Sequence, residues 1–141
     1  DCAAFALADS APAGQAHADR EEFLKGFMTT FFSTADGGLQ VSQEELDIAL
    51  DITEQAADTA LVDCIGIWGT DFRADLQKTE VPLLVIHGDG DQNVPFQASG
   101  ARVAEYAPNA ELVVIPGGPH GINVSHADQV NEALLAFLGR F

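Results

Sequence analysis

Residues 83–95 read LLVIHGDGDQNVP, a continuous apolar run followed by a loop rich in glycine and aspartate. An apolar run of this length without alternation is typical of a strand buried on both faces of a parallel sheet. Residues 112–121, LVVIPGGPHG, repeat the arrangement with a second apolar run and a second glycine-rich exit loop. A helix predicted over residues 96–106 joins the two runs, so this part of the chain is expected to form a right-handed βαβ unit.

The two exit loops carry complementary chemistry, since Asp91 follows the first strand and His120 follows the second. Parallel strands run in the same direction, so we expect the carboxylate and the imidazole to meet at one edge of the sheet. A carboxylate that accepts from Nδ1–H fixes the histidine tautomer and leaves Nε2 to accept a proton. Gly117, Gly118 and Gly121 permit the sharp backbone path that would direct His120 towards Asp91.

Each loop also has a plainer interpretation. Taken alone, GDGD is an ordinary turn, and a Gly-Pro-His loop is only suggestive. The loop half-matches a calcium loop at Asp89, Asp91 and Asn93. It has Val94 where that loop needs glycine and Gly100 where it needs glutamate, so we expect no metal.

The remaining histidines are interpreted differently. His87, at the end of a strand, is interpreted as structural, and neither His17 nor His126 lies in a comparable loop. A phosphate-binding βαβ domain is disfavoured, because no G-x-G-x-x-G or Walker-type loop follows either strand.

The overall composition excludes some partners. Acidic residues outnumber basic ones 22 to 6 and give a formal net charge of −16, which argues against nucleic acid and anionic membranes. No membrane-spanning run or signal-peptide pattern is visible, so we predict a cytoplasmic protein. Cys2 and Cys64 have no metal or redox spacing and are expected to be buried thiols. The chain begins at Asp1 without a methionine, so we leave open whether a segment precedes it.

Two helices are predicted before the first strand. Residues 44–63 form the second of these, an acidic helix in which Ser42 and Glu45 make a capping box and one face is solvated. Residues 19–33 form the first, with a broad apolar face that contains Phe23, Leu24, Phe27, Met28, Phe31 and Phe32.

The pair HGDGDQNVP and GGPHGIN closely resembles the C-terminal part of α/β-hydrolases. Within them it is similar to the cofactor-free haloperoxidases or perhydrolases, with their related esterases and lactamases. TDFRADL before the first strand and HADQVNEALLAFL after the histidine are similar to the same branch. The resemblance implies an α/β fold of parallel strands with flanking helices, in which residues 1–15 and 81–141 belong to the hydrolase core and residues 16–80 form a helical cap.

The resemblance also implies roles for individual residues. Asp91 would be the triad acid and His120 the triad base, acting without metal or haem on a small-molecule ester or carboxylic acid. Four aromatic residues would line an apolar acyl pocket, with ordinary core packing an equal alternative: Phe27, Phe31, Phe32 and Trp68.

A G-x-S-x-G nucleophile sequence does not occur in the chain. We therefore expect the acid and base to act with an N-terminal hydrolase half, in ester hydrolysis or, with peroxide, peracid formation. A second copy of the chain is the other expected partner. The alternative is a non-catalytic binding or assembly module that reuses the scaffold and is completed by a partner chain or by self-association.

Overall fold

The computed structural model describes residues 19–141, apart from the side chains of residues 62, 65 and 66. The part of the predicted hydrolase core in residues 1–15 therefore lies outside the described residues, as do His17 and Cys2. The division between a core and a cap over residues 16–80 stays a prediction.

The described residues form two compact units. The first contains residues 19–29 and 42–71, and the second contains residues 30–41 and 72–141.

The first unit is helical. Asp19 caps the first helix, because its carboxylate accepts a hydrogen bond from the Glu22 backbone at 3.2 Å. This helix buries Leu24 and Met28, and its last two residues belong to the second unit. The helices are α1 (Arg20–Phe31), α2 (Gln43–Glu54) and α3 (Asp58–Ile67).

The single helix predicted over residues 44–63 is wrong, because α2 ends at Glu54 and α3 begins at Asp58. The Arg20 guanidinium donates to the carbonyl oxygens of Glu54 and Ala56, at 3.1 and 2.6 Å. An uninterrupted helix would use both oxygens for its own backbone bonds. The same guanidinium binds the Asp58 carboxylate at 2.6 Å, so a contact from α1 favours the break.

Two other local predictions have opposite outcomes. The capping box at the start of α2 is confirmed, with the Ser42 side chain accepting from the Glu45 backbone and the Glu45 side chain accepting from the Ser42 backbone. The buried thiol predicted at Cys64 is wrong, because this residue is exposed on α3.

The second unit contains a parallel pair of strands, which confirms the predicted α/β class. The pairing is in register from Leu83 opposite Ala110 to Gly88 opposite Ile115. The last helix packs against both strands. An antiparallel hairpin, in which each strand is two residues long, precedes them. The elements are β1 (Ser33–Thr34), β2 (Gly38–Leu39), α4 (Arg73–Leu76), β3 (Leu83–Gly88), α5 (Val103–Tyr106), β4 (Ala110–Ile115), α6 (Ile122–Ser125) and α7 (Ala127–Leu138).

The crossover between the parallel strands is less regular than the helix predicted over residues 96–106. It consists of two 3₁₀ turns, Phe96–Ala98 and Gly100–Arg102, followed by the short α5. Gly100 lies directly against an imidazole, since a Cβ there would be 2.5 Å from Nδ1 of His87. The backbone of the crossover therefore packs closely on the His87 side chain of β3 and does not form the predicted regular helix.

None of the helices in residues 19–141 combines the length and the apolar character that a transmembrane span requires.

The close approach of the two strand exits can be tested at Gly88. A Cβ there would lie 2.1 Å from the Gly118 carbonyl oxygen. Because that atom belongs to the backbone, we expect Gly88→Ala to lower the free energy of unfolding by about 1–3 kcal/mol in urea denaturation. Gly26→Ala is the matched control in α1, where a Cβ meets nothing within 4 Å. It should raise stability by about 0.5–1 kcal/mol, and equal effects of both substitutions would contradict the steric explanation.

Candidate functional site

The exit loops of β3 and β4 begin level with each other, because Gly88 pairs with Ile115 at the end of the register. Two further bonds join the loops. The Gly90 N–H donates to the Gly118 carbonyl at 3.0 Å, and the Gly117 N–H donates to the Asp89 carboxylate at 2.6 Å. The loops are thus joined by one backbone bond and one bond to the Asp89 side chain, independently of Asp91 and His120.

Asp91 lies at the centre of this arrangement, with its side chain only 2 % exposed. Its Oδ1 accepts from the backbone N–H groups of Asn93 and Val94, both at 2.8 Å. Its Oδ2 bonds Nδ1 of His120 at 2.7 Å and lies 3.1 Å from Nε2 of His87. Both carboxylate oxygens are therefore surrounded by donors, which fixes the orientation of the group.

Two opposing effects act on the pKa of Asp91. Burial, the largest single influence, raises it, while the bonds from His120, Val94 and Asn93 and the charge of His120 lower it. Together the lowering influences prevail, so the pKa of Asp91 lies below its ordinary value and the carboxylate stays ionised.

His120 is held in one tautomer by this carboxylate. Because an ionised carboxylate can only accept, the proton of the shared bond lies on Nδ1, and in the neutral ring the lone pair lies on Nε2. The ring also packs edge to face on Phe31, with centroids 4.6 Å apart and planes inclined at 71°. Its side chain is 33 % exposed, so the imidazole is oriented yet remains partly open.

The segment that leads from α1 into the hairpin packs against both loops. The Gly121 N–H donates to the Phe31 carbonyl at 2.9 Å, and a Cβ at Gly121 would lie 2.4 Å from the Phe32 ring. On the other loop, a Cβ at Gly90 would lie 2.7 Å from Cγ2 of the buried Thr34. Residues 31–34 thus restrain the loop of Asp91 as well as the loop of His120.

The expected meeting of Asp91 and His120 is observed, while their catalytic roles stay a prediction. Of the four aromatic residues predicted to line a pocket, Phe31 lies against His120 and also contacts Phe32 at 5.0 Å between centroids. The other two stack on each other in the first unit, Phe27 on Trp68 at 5.9 Å. Their role in a pocket also stays a prediction.

The sequence interpretation missed several groups around the acid. It did not foresee the contact of His87 with Asp91, the packing of residues 31–34, or the donors of Asn93 and Val94. Only the last had a local signal, since an aspartate at the start of a turn commonly accepts from the backbone two or three residues ahead.

Among residues 19–141, no group of three or more histidine, cysteine, aspartate or glutamate side chains is arranged to hold a metal. The two carboxylates that a calcium loop would use have other partners, whereas the buried Oδ1 of Asn93 has none among the described residues. Asp89 binds the Gly117 N–H, and Asp91 is occupied as described.

Comparison with known proteins gives sequence relatives over most of the chain, although no protein-family model matches it. The chain is 38 % identical over 125 residues to a non-heme chloroperoxidase of Kitasatospora aureofaciens, covering 86 % of this chain and 46 % of that protein. It is 48 % identical over 69 residues to a bifunctional esterase/perhydrolase of Acinetobacter calcoaceticus, covering 49 % of this chain and 25 % of that protein.

Solved structures match over nearly the whole chain. A bromoperoxidase from Bacillus anthracis has 42 % identity and a TM-score of 0.86, covering 89 % of this chain and 46 % of its own. An esterase from Exiguobacterium antarcticum, at 23 % identity, shares the fold with a TM-score of 0.80, covering 92 % of this chain and 46 % of its own. The chain thus spans less than half the length of these relatives and matches their C-terminal part.

The burial of Asp91 and its donors make a testable pair of expectations. Asp91→Asn places an N–H where Oδ2 now accepts from His120, so the free energy of unfolding at pH 7 should fall by about 1–3 kcal/mol. Because the folded pKa of Asp91 lies below the ordinary 3.8, its ionised form stabilises the fold above that pH. This contribution is lost as the pH falls through the folded pKa.

Urea denaturation between pH 7 and pH 3 is the measurement. The difference between wild type and Asp91→Asn should narrow below about pH 4. Asp51→Asn on the exposed face of α2 is the control, with an expected change within about 0.5 kcal/mol. A difference that stays constant over the whole range would contradict the lowered pKa.

Proposed function

We propose that this chain, an α/β-hydrolase relative of the C-terminal part of the non-heme haloperoxidases, carries the acid–base pair of a serine hydrolase. One observation supports this above all others. A buried, ionised Asp91 holds Nδ1 of a partly exposed His120 at 2.7 Å, at the edge where both strands end. This is the arrangement that a histidine needs in order to act as a general base.

The proposed reaction is acyl transfer from a small-molecule ester. Nε2 of His120 takes the proton of a serine hydroxyl as the serine oxygen adds to the ester carbonyl, and it then gives that proton to the departing alcohol. Asp91 stabilises the imidazolium and keeps the tautomer, without itself accepting the proton. Water then hydrolyses the acyl-enzyme to a carboxylic acid, with His120 as base again.

Hydrogen peroxide in place of water would resolve the same acyl-enzyme to a peracid. The peracid oxidises a halide ion to hypohalous acid and returns to the carboxylate, so no metal or haem takes part. The names of the relatives, chloroperoxidase and esterase/perhydrolase, support both outcomes for this site.

The serine and the oxyanion donors would come from an N-terminal hydrolase half, while a second copy of the chain is the proposed partner only in the assembly-module alternative. Exposed apolar side chains in the second unit support such a completing segment. They include Leu112 and Val114 on β4 and Leu135 and Leu138 on α7, between 37 and 69 % exposed. The net charge of −16 makes nucleic acid and anionic membranes poor partners by comparison.

Among the proposed pocket residues, Phe31 has the most direct support, because its ring touches the imidazole of the base. An apolar wall beside His120 would favour the acyl chain of an ester over a charged substrate.

Hydrolysis of p-nitrophenyl acetate tests the proposal. We expect negligible turnover by the 141-residue chain alone, because no G-x-S-x-G serine is present. Co-expression with the N-terminal part of the related Bacillus anthracis bromoperoxidase should produce turnover. His120→Gln should then lower kcat/KM by about a thousandfold or more.

His126→Gln is the matched control, since the ring of His126 bonds Ser125 rather than Asp91, and it should leave kcat/KM within about threefold. Full activity of the isolated chain, or activity that survives His120→Gln, would overturn the proposal. Light scattering of the same samples distinguishes the alternative, because a stable complex without turnover would indicate an assembly module.

A further inference from the structure

His87 occupies a constrained position next to the acid–base pair. It is the penultimate residue of β3, and its side chain is only 13 % exposed. The ring is bounded by Gly100, where a Cβ would lie 2.5 Å from Nδ1, and by Phe96, whose centroid is 5.5 Å away. The imidazole therefore has little freedom to move away from the loop of Asp91.

The proton of this imidazole can be assigned from its partners. Nε2 bonds the Val94 carbonyl oxygen at 2.9 Å and lies 3.1 Å from Oδ2 of Asp91. A carbonyl and an ionised carboxylate can only accept, so Nε2 must carry the proton. His87 and His120 therefore approach the same oxygen with opposite ring nitrogens.

These contacts close a ring of interactions around the acid. The Val94 carbonyl accepts from His87, and the Val94 N–H donates to Oδ1 of Asp91 at 2.8 Å. His87 itself faces the other carboxylate oxygen. These contacts hold β3 and the loop of Asp91 together on both sides of the carboxylate. They therefore fix the position of Oδ2, the oxygen that His120 binds.

We propose that His87 is a positioning residue of the acid–base pair, whose Nε2–H anchors Val94 and sets the placement of Asp91 Oδ2 against His120. This inference rests on the proposed function for its catalytic consequence. The contacts of His87 with Val94 and Asp91 all lie within the 141 residues. A side chain that merely filled space at position 87 would not need a donor at this atom.

The first experiment is ¹⁵N and ¹H NMR of the imidazoles in the 141-residue chain. Wild type should show the Nε2–H tautomer for His87 and a downfield Nδ1–H proton for His120 in its bond to Asp91. His87→Leu keeps a bulky side chain at this position but removes the N–H donor. The Nδ1–H signal of His120 should then move upfield or disappear through exchange with solvent. His87→Gln can place an amide N–H near the same atom and should retain the signal.

The second experiment measures kcat and KM of p-nitrophenyl acetate hydrolysis in the complemented enzyme. We expect His87→Leu to lower kcat by about ten- to a hundredfold with little change in KM, and His87→Gln to stay within about threefold. An Nδ1–H tautomer for His87 in wild type, or an unchanged His120 signal in His87→Leu, overturns the inference. If His87→Leu does not fold, the wild-type tautomer and the retained signal of His87→Gln decide it.

The two proposals fail in different ways. Absence of turnover in every complemented sample counts against the hydrolase function and leaves the NMR result for His87 intact. Full turnover with an unchanged His120 proton in His87→Leu counts against the role of His87 alone.

Discussion

The carboxylate of Asp91 and the donors around it form the interaction that organises the candidate site. Burial by itself would favour a neutral acid, yet the bonds from His120, Val94 and Asn93 keep the pKa of Asp91 below its ordinary value. A buried ionised group of this kind is tolerated only because every oxygen has donors. The same bonds that stabilise the charge also orient it, and that orientation selects the tautomer of His120 on which the proposed chemistry relies.

This arrangement is possible because the backbones of the two exit loops can approach each other closely. Gly88 and Gly118 are in contact at a distance that leaves no room for a side chain. Gly117 adopts a φ of 69°, in the left-handed region that glycine favours. Gly121 lies so close to the Phe32 ring that a side chain would not fit between them. The small residues in these loops thus allow strands, loops and the hairpin segment to converge on one carboxylate.

The proposed acid–base pair lies within the second unit, although the chain spans less than half the length of its relatives. His120, its orienting carboxylate, the backbone donors to that carboxylate and the neighbouring Phe31 all come from residues 30–41 and 72–141. The geometry that the proposed general base requires is therefore formed by residues of this unit alone. The orientation of the proposed base therefore does not depend on the group that it would deprotonate.

The sequence by itself determined the parallel strand pair, the edge at which it ends, and the presence there of Asp91 and His120. Those features follow from hydrophobic runs and from glycine-rich loops, which are patterns among residues adjacent in the sequence. It also determined the capping box of Ser42 and Glu45, which is local. Tertiary structure alone decided that Arg20 would contact the break between α2 and α3, that Phe31 would touch His120, and that His87 would share the oxygen of Asp91. Each of these depends on where the chain returns in space, and no periodicity along the chain records that return.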